Sequence, residues 1–186
     1  EKTELVQDLE KNLLPEEKIK IRLAEFGYPV EPVDSVVGAS VTQYRFKISA
    51  GVRVSAIKKL KDDIAIAIGS TGHLNIDIIP GTGYLGIEVP NVDRSRVFYT
   101  TDMHHKGTLK FPLGAEVNGN NYFADLTEMP HLLIAGTTGS GKSVLLNVLI
   151  QSISAQNTSK DLKLVLIDPK RVELANFGKL PHLDGK

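Results

Sequence analysis

Eight residues constrain this chain more than any others: Gly136-Thr137-Thr138-Gly139-Ser140-Gly141-Lys142-Ser143. They fit the spacing G-x-x-x-x-G-K-[ST] at every fixed position. A continuous apolar run, His131-Leu-Leu-Ile-Ala135, precedes them, and residues 142–155 read as a helix. An apolar strand before and a helix after give that spacing its physical meaning. The glycines let the backbone turn so that successive N–H groups point inward at a polyphosphate, and the helix N-terminus adds partial positive charge. Lys142 is a flexible cation able to reach the β and γ phosphates, and Ser143 can place its hydroxyl on the Mg²⁺ that bridges them. The bland alternative is a glycine-rich loop that merely turns the chain, and the full pattern in its full context argues against it. The loop implies a nucleoside triphosphate but does not specify a reaction.

A second apolar run, Leu162-Lys-Leu-Val-Leu-Ile167, follows the helix. Strand–helix–strand with continuous apolar strands implies a parallel sheet covered on both faces. Two parallel strands cannot cover themselves, so this region is read as an incomplete domain. Asp168 ends the second run, where an acid could organise Mg²⁺. The acid pair of RecA-like ATPases sits on a later strand, however. Asp168-Pro169-Lys170 is therefore read either as an outer partner of the phosphate site or simply as a cap on the strand end.

The first half has a different character. Leu14-Pro15-Glu16-Glu17 starts a helix with proline in the first turn and acids facing the dipole. Ile19, Leu23 and Phe26 fall at helical spacing, and Gly27 can close the helix. Pro29 and Pro32 mark an extended connector. From Val41 to Ile48 the pattern alternates, with Tyr44, Phe46 and Ile48 on one face and Arg45 and Lys47 on the other: a half-buried strand. A helical stretch carries Ile57, Leu60, Ile64 and Ile68 on one stripe and is broken by Gly69 and Gly72. Leu74–Ile78 and Leu85–Val89 alternate about the turn Pro80-Gly81-Thr82-Gly83. A further strand is expected near Val97–Tyr99. Asn118-Gly119, between residues 115–117 and 122–124, is a hairpin signal. The expected organisation is an extension over 1–12, an α+β domain over 13–100, a linker over 101–113 and a phosphate-loop domain over 114–186.

Composition excludes several classes. Lys and Arg number 22 against 22 Asp and Glu, which argues against a surface built wholly to coat nucleic acid or anionic lipid. There is no cysteine, hence no disulfide scaffold, thiol catalysis or Cys-ligated metal. The five histidines lack ligand spacing. No apolar run approaches the roughly 20 residues of a membrane span, and the reading is of a cytosolic protein. The chain opens on Glu1 rather than Met, which reads as a fragment.

Taken together, Met129–Val144, Leu166-Ile-Asp-Pro-Lys170, Glu173-Leu174 and Pro181-His182-Leu183 resemble the motor of the FtsK/SpoIIIE double-stranded-DNA translocases. Gly38–Tyr44, Gly51–Ser55, Asp62–Ala65 and Gly86–Asn91 resemble the α subdomain that precedes that motor. The resemblance covers residues 30–186. It implies an α/β chain: a small α+β N-terminal domain followed by an incomplete RecA-like P-loop parallel-sheet domain. It also implies ATP-driven movement of double-stranded DNA through a homo-oligomeric ring, a hexamer. By position Gly136 to Ser143 would hold ATP, Lys142 would act on the transferring phosphate, and Ser143 would contact Mg²⁺ through the nucleotide. Membrane attachment in this family comes through an N-terminal segment that has no counterpart here, and the strand bearing the hydrolytic acids has none either. The ending after Pro181-His182-Leu183 is abrupt, as if truncated or deleted.

Weaker signals have two readings each. Residues 35–61 carry Arg45, Lys47, Arg53, Lys58, Lys59 and Lys61 and no acid. They could touch DNA phosphates or form a solvated face balanced by Asp62 and Asp63. His104-His105 reads as a loop pair rather than metal ligands, His131 as a residue that packs or hydrogen-bonds rather than catalyses, and Lys170-Arg171 as a surface loop rather than a contact to a neighbouring subunit's nucleotide. The rivals to a translocase are a conjugation or packaging motor, a non-hydrolysing module that binds nucleotide or DNA or assembles rings, and a P-loop kinase.

Overall fold

The computed structural model describes residues 13–129 and 131–184. The extension expected over 1–12 lies outside them. The chain divides into two compact units, one running to Arg96 and including 117–119, the other holding 97–116 and everything from Asn120 on.

In the first unit, helix α1 (Pro15–Glu25) begins with Pro at its first turn and Glu16 and Glu17 against the positive end of the dipole. Gly27, at φ 80°, closes it in the left-handed region, and Tyr28 N–H returns to the Leu23 carbonyl at 2.9 Å. An antiparallel sheet follows, formed by β1 (Val30–Val37), β2 (Val41–Ile48), β3 (Asn75–Ile78) and β4 (Leu85–Pro90) in the order β1-β2-β4-β3. Helices α2 (Val54–Lys58) and α3 (Lys61–Ile68) connect β2 to β3. Phe46, from the apolar face of β2, is fully buried with Ile19 and Leu23 of α1, Ile57, Ile64 and Leu85.

Three details differ from the sequence reading. The connector expected around Pro29 and Pro32 is strand β1. It lies at the sheet edge, its register shifting between Pro32 and Asp34, where a residue without an N–H is tolerated. The single helical stretch is two helices, because Leu60 leaves helical geometry at φ −91° and ψ 12°. Nothing forms a strand at 97–99, where Val97 and Phe98 stand exposed.

Gly38–Tyr44 and Gly86–Asn91, two stretches far apart in sequence, are brought together by the β2–β4 ladder. Tyr44 faces Ile87, and Gln43 Nε2 donates to Glu88 Oε1 at 3.1 Å. Asn91 fastens the β1–β2 turn: its N–H donates to the Ser40 carbonyl at 2.9 Å, its Nδ2 to the Gly38 carbonyl at 2.8 Å, and its Oδ1 accepts from Thr42 Oγ1 at 2.7 Å.

The second unit is built on the hairpin β5 (Lys110–Ala115) and β6 (Asn121–Asp125) and on helix α4 (Lys142–Gln156). Gly119 takes φ 87° at the expected turn. The first strand starts inside the segment 101–113 read as a linker. Phe111 is fully buried there and pairs with Ala124, and together with Leu149, Ile150 and Ile153 of α4 they form the second core. One aromatic in a polar segment is too sparse a pattern to announce a strand.

The two apolar runs beside α4 form no ladder with each other. Leu162, Leu164 and Leu166 turn to the core while Val165 and Ile167 are exposed, which is the period of a strand. Its pairing among the described residues is a single parallel bridge between Leu164 and Leu183. In the other run Leu132 and Leu133 are exposed. Periodicity marks a segment as strand-like but does not supply the neighbour whose N–H and C=O groups a parallel ladder needs. The chain is α/β, and among the described residues its parallel element is reduced to that bridge.

Candidate functional site

The loop Gly136–Gly141 leads into α4. Gly139 and Gly141 take φ 80° and 95°, a region in which a Cβ is strained. Gly136 differs: Ser140 Oγ occupies the space its Cβ would fill and would have to turn away. Ser140 N–H closes a turn on the Thr137 carbonyl at 3.2 Å. Gly141 is the N-cap of α4 and has no side chain to satisfy the first-turn N–H groups, which therefore face the loop as donors. Lys142 Nζ folds back onto the Thr137 carbonyl at 3.1 Å. Ser143 Oγ donates to Glu173 Oε1 at 2.9 Å. Thr137, Thr138 and the glycines are exposed, whereas Lys142 and Ser143 are half-buried. Uncapped donors, a helix N-terminus and a lysine converge on one concave loop, an arrangement suited to an anion of several charges.

A cavity of about 490 Å³ adjoins this loop. Gly141, Lys142, Val144 and Val148 line it together with Phe98 and Tyr99.

Asp168 is the cap of a tight turn. Its Oδ1 accepts the N–H of Lys170 at 3.0 Å, and its Oδ2 those of Glu173 and Leu174 at 3.0 and 3.1 Å. These bonds, that from Leu174 foremost, hold the carboxyl below the usual aspartate range. Asp168 thus caps the turn, and the same turn carries the Glu173 carboxylate that meets Ser143. Arg171 turns the backbone at φ 53°. Lys170 and Arg171 are exposed in this loop, and His131 is exposed rather than packed.

Several of the other residues singled out from sequence have structural partners. Tyr99 Oη lies 2.6 Å from His104 Nε2, and the His105 ring meets Phe123 edge-on at 4.5 Å. No group of three or more His, Cys, Asp or Glu among the described residues is placed to hold a metal. Within the basic stretch, Arg45 pairs with Asp34 at 3.1 Å and Lys58 with Asp77 at 2.8 Å. Lys47, Arg53, Lys59 and Lys61 carry the charge that remains. No helix among the described residues is long and apolar enough to cross a membrane.

Two residues went unassigned in the sequence. Buried Gln156 ties the end of α4 to the strand side: its Oε1 accepts His105 N–H at 2.9 Å and its Nε2 donates to the Thr108 and Lys110 carbonyls at 3.0 and 2.6 Å. Glu173 reaches Ser143 across thirty positions, a separation no spacing rule covers.

Residues 96–185 match the FtsK/SpoIIIE family and residues 2–91 match the FtsK alpha domain. Relatives called DNA translocase FtsK include that of Clostridium acetobutylicum, 45% identical over 173 residues, which are 90% of this chain and 23% of the relative. That of Pseudomonas aeruginosa is 40% identical over 172 residues, 89% of this chain and 21% of the relative. That of Streptococcus pyogenes is 40% identical over 185 residues, 95% of this chain and 23% of the relative. The chain thus spans less than a quarter of the length of the curated relatives it matches. Among solved structures, the pCW3 conjugation coupling protein TcpA, in its monomer form with ATPgS, aligns with 86% of this chain and 46% of its own at 13% identity and a TM-score of 0.36.

Proposed function

Because this chain belongs to the FtsK/SpoIIIE family, we propose that it binds ATP with Mg²⁺ at Gly136–Ser143 and works as part of a cytoplasmic motor that moves double-stranded DNA through a homohexameric ring. The observation that carries this reading is the junction of loop and helix: two left-handed glycines open an uncapped α4 with Lys142 and Ser143 on its first turn. The backbone N–H groups of the loop cradle the phosphates. Lys142 exchanges the Thr137 carbonyl for a phosphate oxygen and neutralises charge as it builds. The donors present suit Mg²⁺, which prefers hard oxygen ligands: the Ser143 hydroxyl would hold it beside the nucleotide, where it supplies charge neutralisation between the phosphates. The cavity beside the loop takes the base and sugar, with Val144 and Val148 beneath them. Contacts to the duplex that run to phosphates carry no base information, so movement driven this way is indifferent to sequence. Of the six basic residues between 35 and 61, the four that form no ion pair among the described residues are the candidates for such contacts.

The test is ATP hydrolysis by the whole motor of which this chain is part, with and without linear duplex DNA, beside Lys142→Ala. Strong stimulation by duplex that Lys142→Ala abolishes supports the motor. Hydrolysis indifferent to DNA overturns it in favour of a kinase-like protein, and nucleotide binding that drives ring assembly without hydrolysis overturns it in favour of an assembly module.

A further inference from the structure

We propose that Glu173 is a positioning residue for the Ser143 hydroxyl, taking its hydrogen so that the oxygen's lone pairs are left for the divalent cation that accompanies a nucleoside triphosphate. The inference rests on the nucleotide-binding reading above and assigns a role to a residue outside the phosphate loop. A serine hydroxyl has one hydrogen and two lone pairs. In the first turn of a helix it is otherwise free to rotate or to bond to nearby backbone. Here the hydrogen has a fixed destination, since Ser143 Oγ donates to Glu173 Oε1 at 2.9 Å. A carboxylate acceptor makes that bond stronger than a neutral one would.

The acceptor is itself held in place. Asp168 Oδ2 takes the N–H of Glu173 at 3.0 Å and that of Leu174 at 3.1 Å, while Asp168 Oδ1 takes that of Lys170 at 3.0 Å. The left-handed Arg171 reverses the chain within the same turn. Asp168 holds the backbone of Glu173, the Glu173 carboxylate takes the Ser143 hydrogen, and the Ser143 oxygen would be left to hold the cation. An outer partner of this kind typically changes metal affinity by about 10–100-fold when removed.

A plain structural role, pinning the 168–174 loop to α4, would show the same hydrogen bond. The two separate when ATP affinity is measured by calorimetry in EDTA and again in Mg²⁺, for the wild type, Glu173→Ala, Glu173→Gln, Ser143→Ala and the double variant Ser143→Ala/Glu173→Ala. Expected for Glu173→Ala is a loss of about tenfold in the gain in affinity that Mg²⁺ confers, with affinity in EDTA unchanged. Glu173→Gln, whose amide oxygen still accepts, recovers part of the gain. In the double variant the second substitution adds little to the first, because both break one connection. An unchanged Mg²⁺ gain in both Glu173 variants, or equal losses with and without Mg²⁺, overturns the proposal. Lys142→Ala separates this failure from that of the parent reading: if it leaves ATP binding intact, or if the wild type binds no ATP, the nucleotide site falls and this proposal with it.

Discussion

Replacing Gln156 by alanine tests how the second unit fixes the end of its helix to the strand side. The side chain is 6% exposed and makes three hydrogen bonds. Two of its partners have other donors: the Thr108 carbonyl keeps Asn157 Nδ2 at 2.8 Å, and the Lys110 carbonyl keeps Ser152 Oγ at 3.4 Å. The His105 N–H has no second acceptor among the bonds of the described residues. Leaving that half-buried N–H unpaired costs about 1–3 kcal/mol, and losing a buried methylene adds about 0.8 kcal/mol. The expected loss is therefore about 2–4 kcal/mol. Urea unfolding followed by far-ultraviolet circular dichroism measures it, with exposed Gln151→Ala as the control, expected within about 0.5 kcal/mol of wild type. Amide exchange supplies a local check, because the His105 proton should lose protection first. A loss below about 0.5 kcal/mol for Gln156→Ala, or one matched by Gln151→Ala, would refute the idea that these bonds set the helix end.

Three further outcomes are expected. Asn91→Ala should destabilise the first unit by about 1–3 kcal/mol in the same urea assay, since it strips the Gly38 carbonyl and Thr42 hydroxyl of their partner. Asp168 should titrate below the ordinary aspartate value in an NMR pH series, because three backbone N–H groups favour its charged form. Its folded-state value is depressed, so its support for the 168–174 turn is complete above the unfolded value and is lost as pH falls through the folded one; exchange rates of the Glu173 and Leu174 amides should rise over that acidic range. Val144→Trp, which fills the cavity from an exposed position, should weaken ATP about tenfold or more while sparing inorganic tripolyphosphate, and equal effects on both would remove the base from that cavity.

What the sequence made legible was local. Alternation from Val41 to Ile48 identified β2 because one face of that strand meets a core and the other does not. The glycines of the phosphate loop announced its shape because left-handed backbone is encoded where it occurs. Pairing was harder to see. Pro32 hid an edge strand, since proline speaks against strands in general and only position in the sheet excuses it. The Asn118-Gly119 turn was evident, yet how far its strands ran depended on Phe111 meeting α4. The apolar run Leu162–Ile167 has a strand's period, but its bridge to Leu183 depends on a chain reversal that no periodicity encodes. The site divides in the same way. Gly136 to Ser143 form one contiguous signature, whereas Glu173 reaches Ser143 only because Asp168 draws three N–H groups into a turn.

The most direct measurement is calorimetric binding of ATP in Mg²⁺ to the wild-type chain and to Lys142→Ala, with tripolyphosphate as competitor. The expected result is binding that tripolyphosphate displaces and that Lys142→Ala weakens by at least about tenfold, in keeping with the 1.5–3 kcal/mol of a charged hydrogen bond. ATP binding that ignores both Lys142 and tripolyphosphate, or no binding at all, would contradict a phosphate site at Gly136–Ser143 and the ATP-driven motor built upon it.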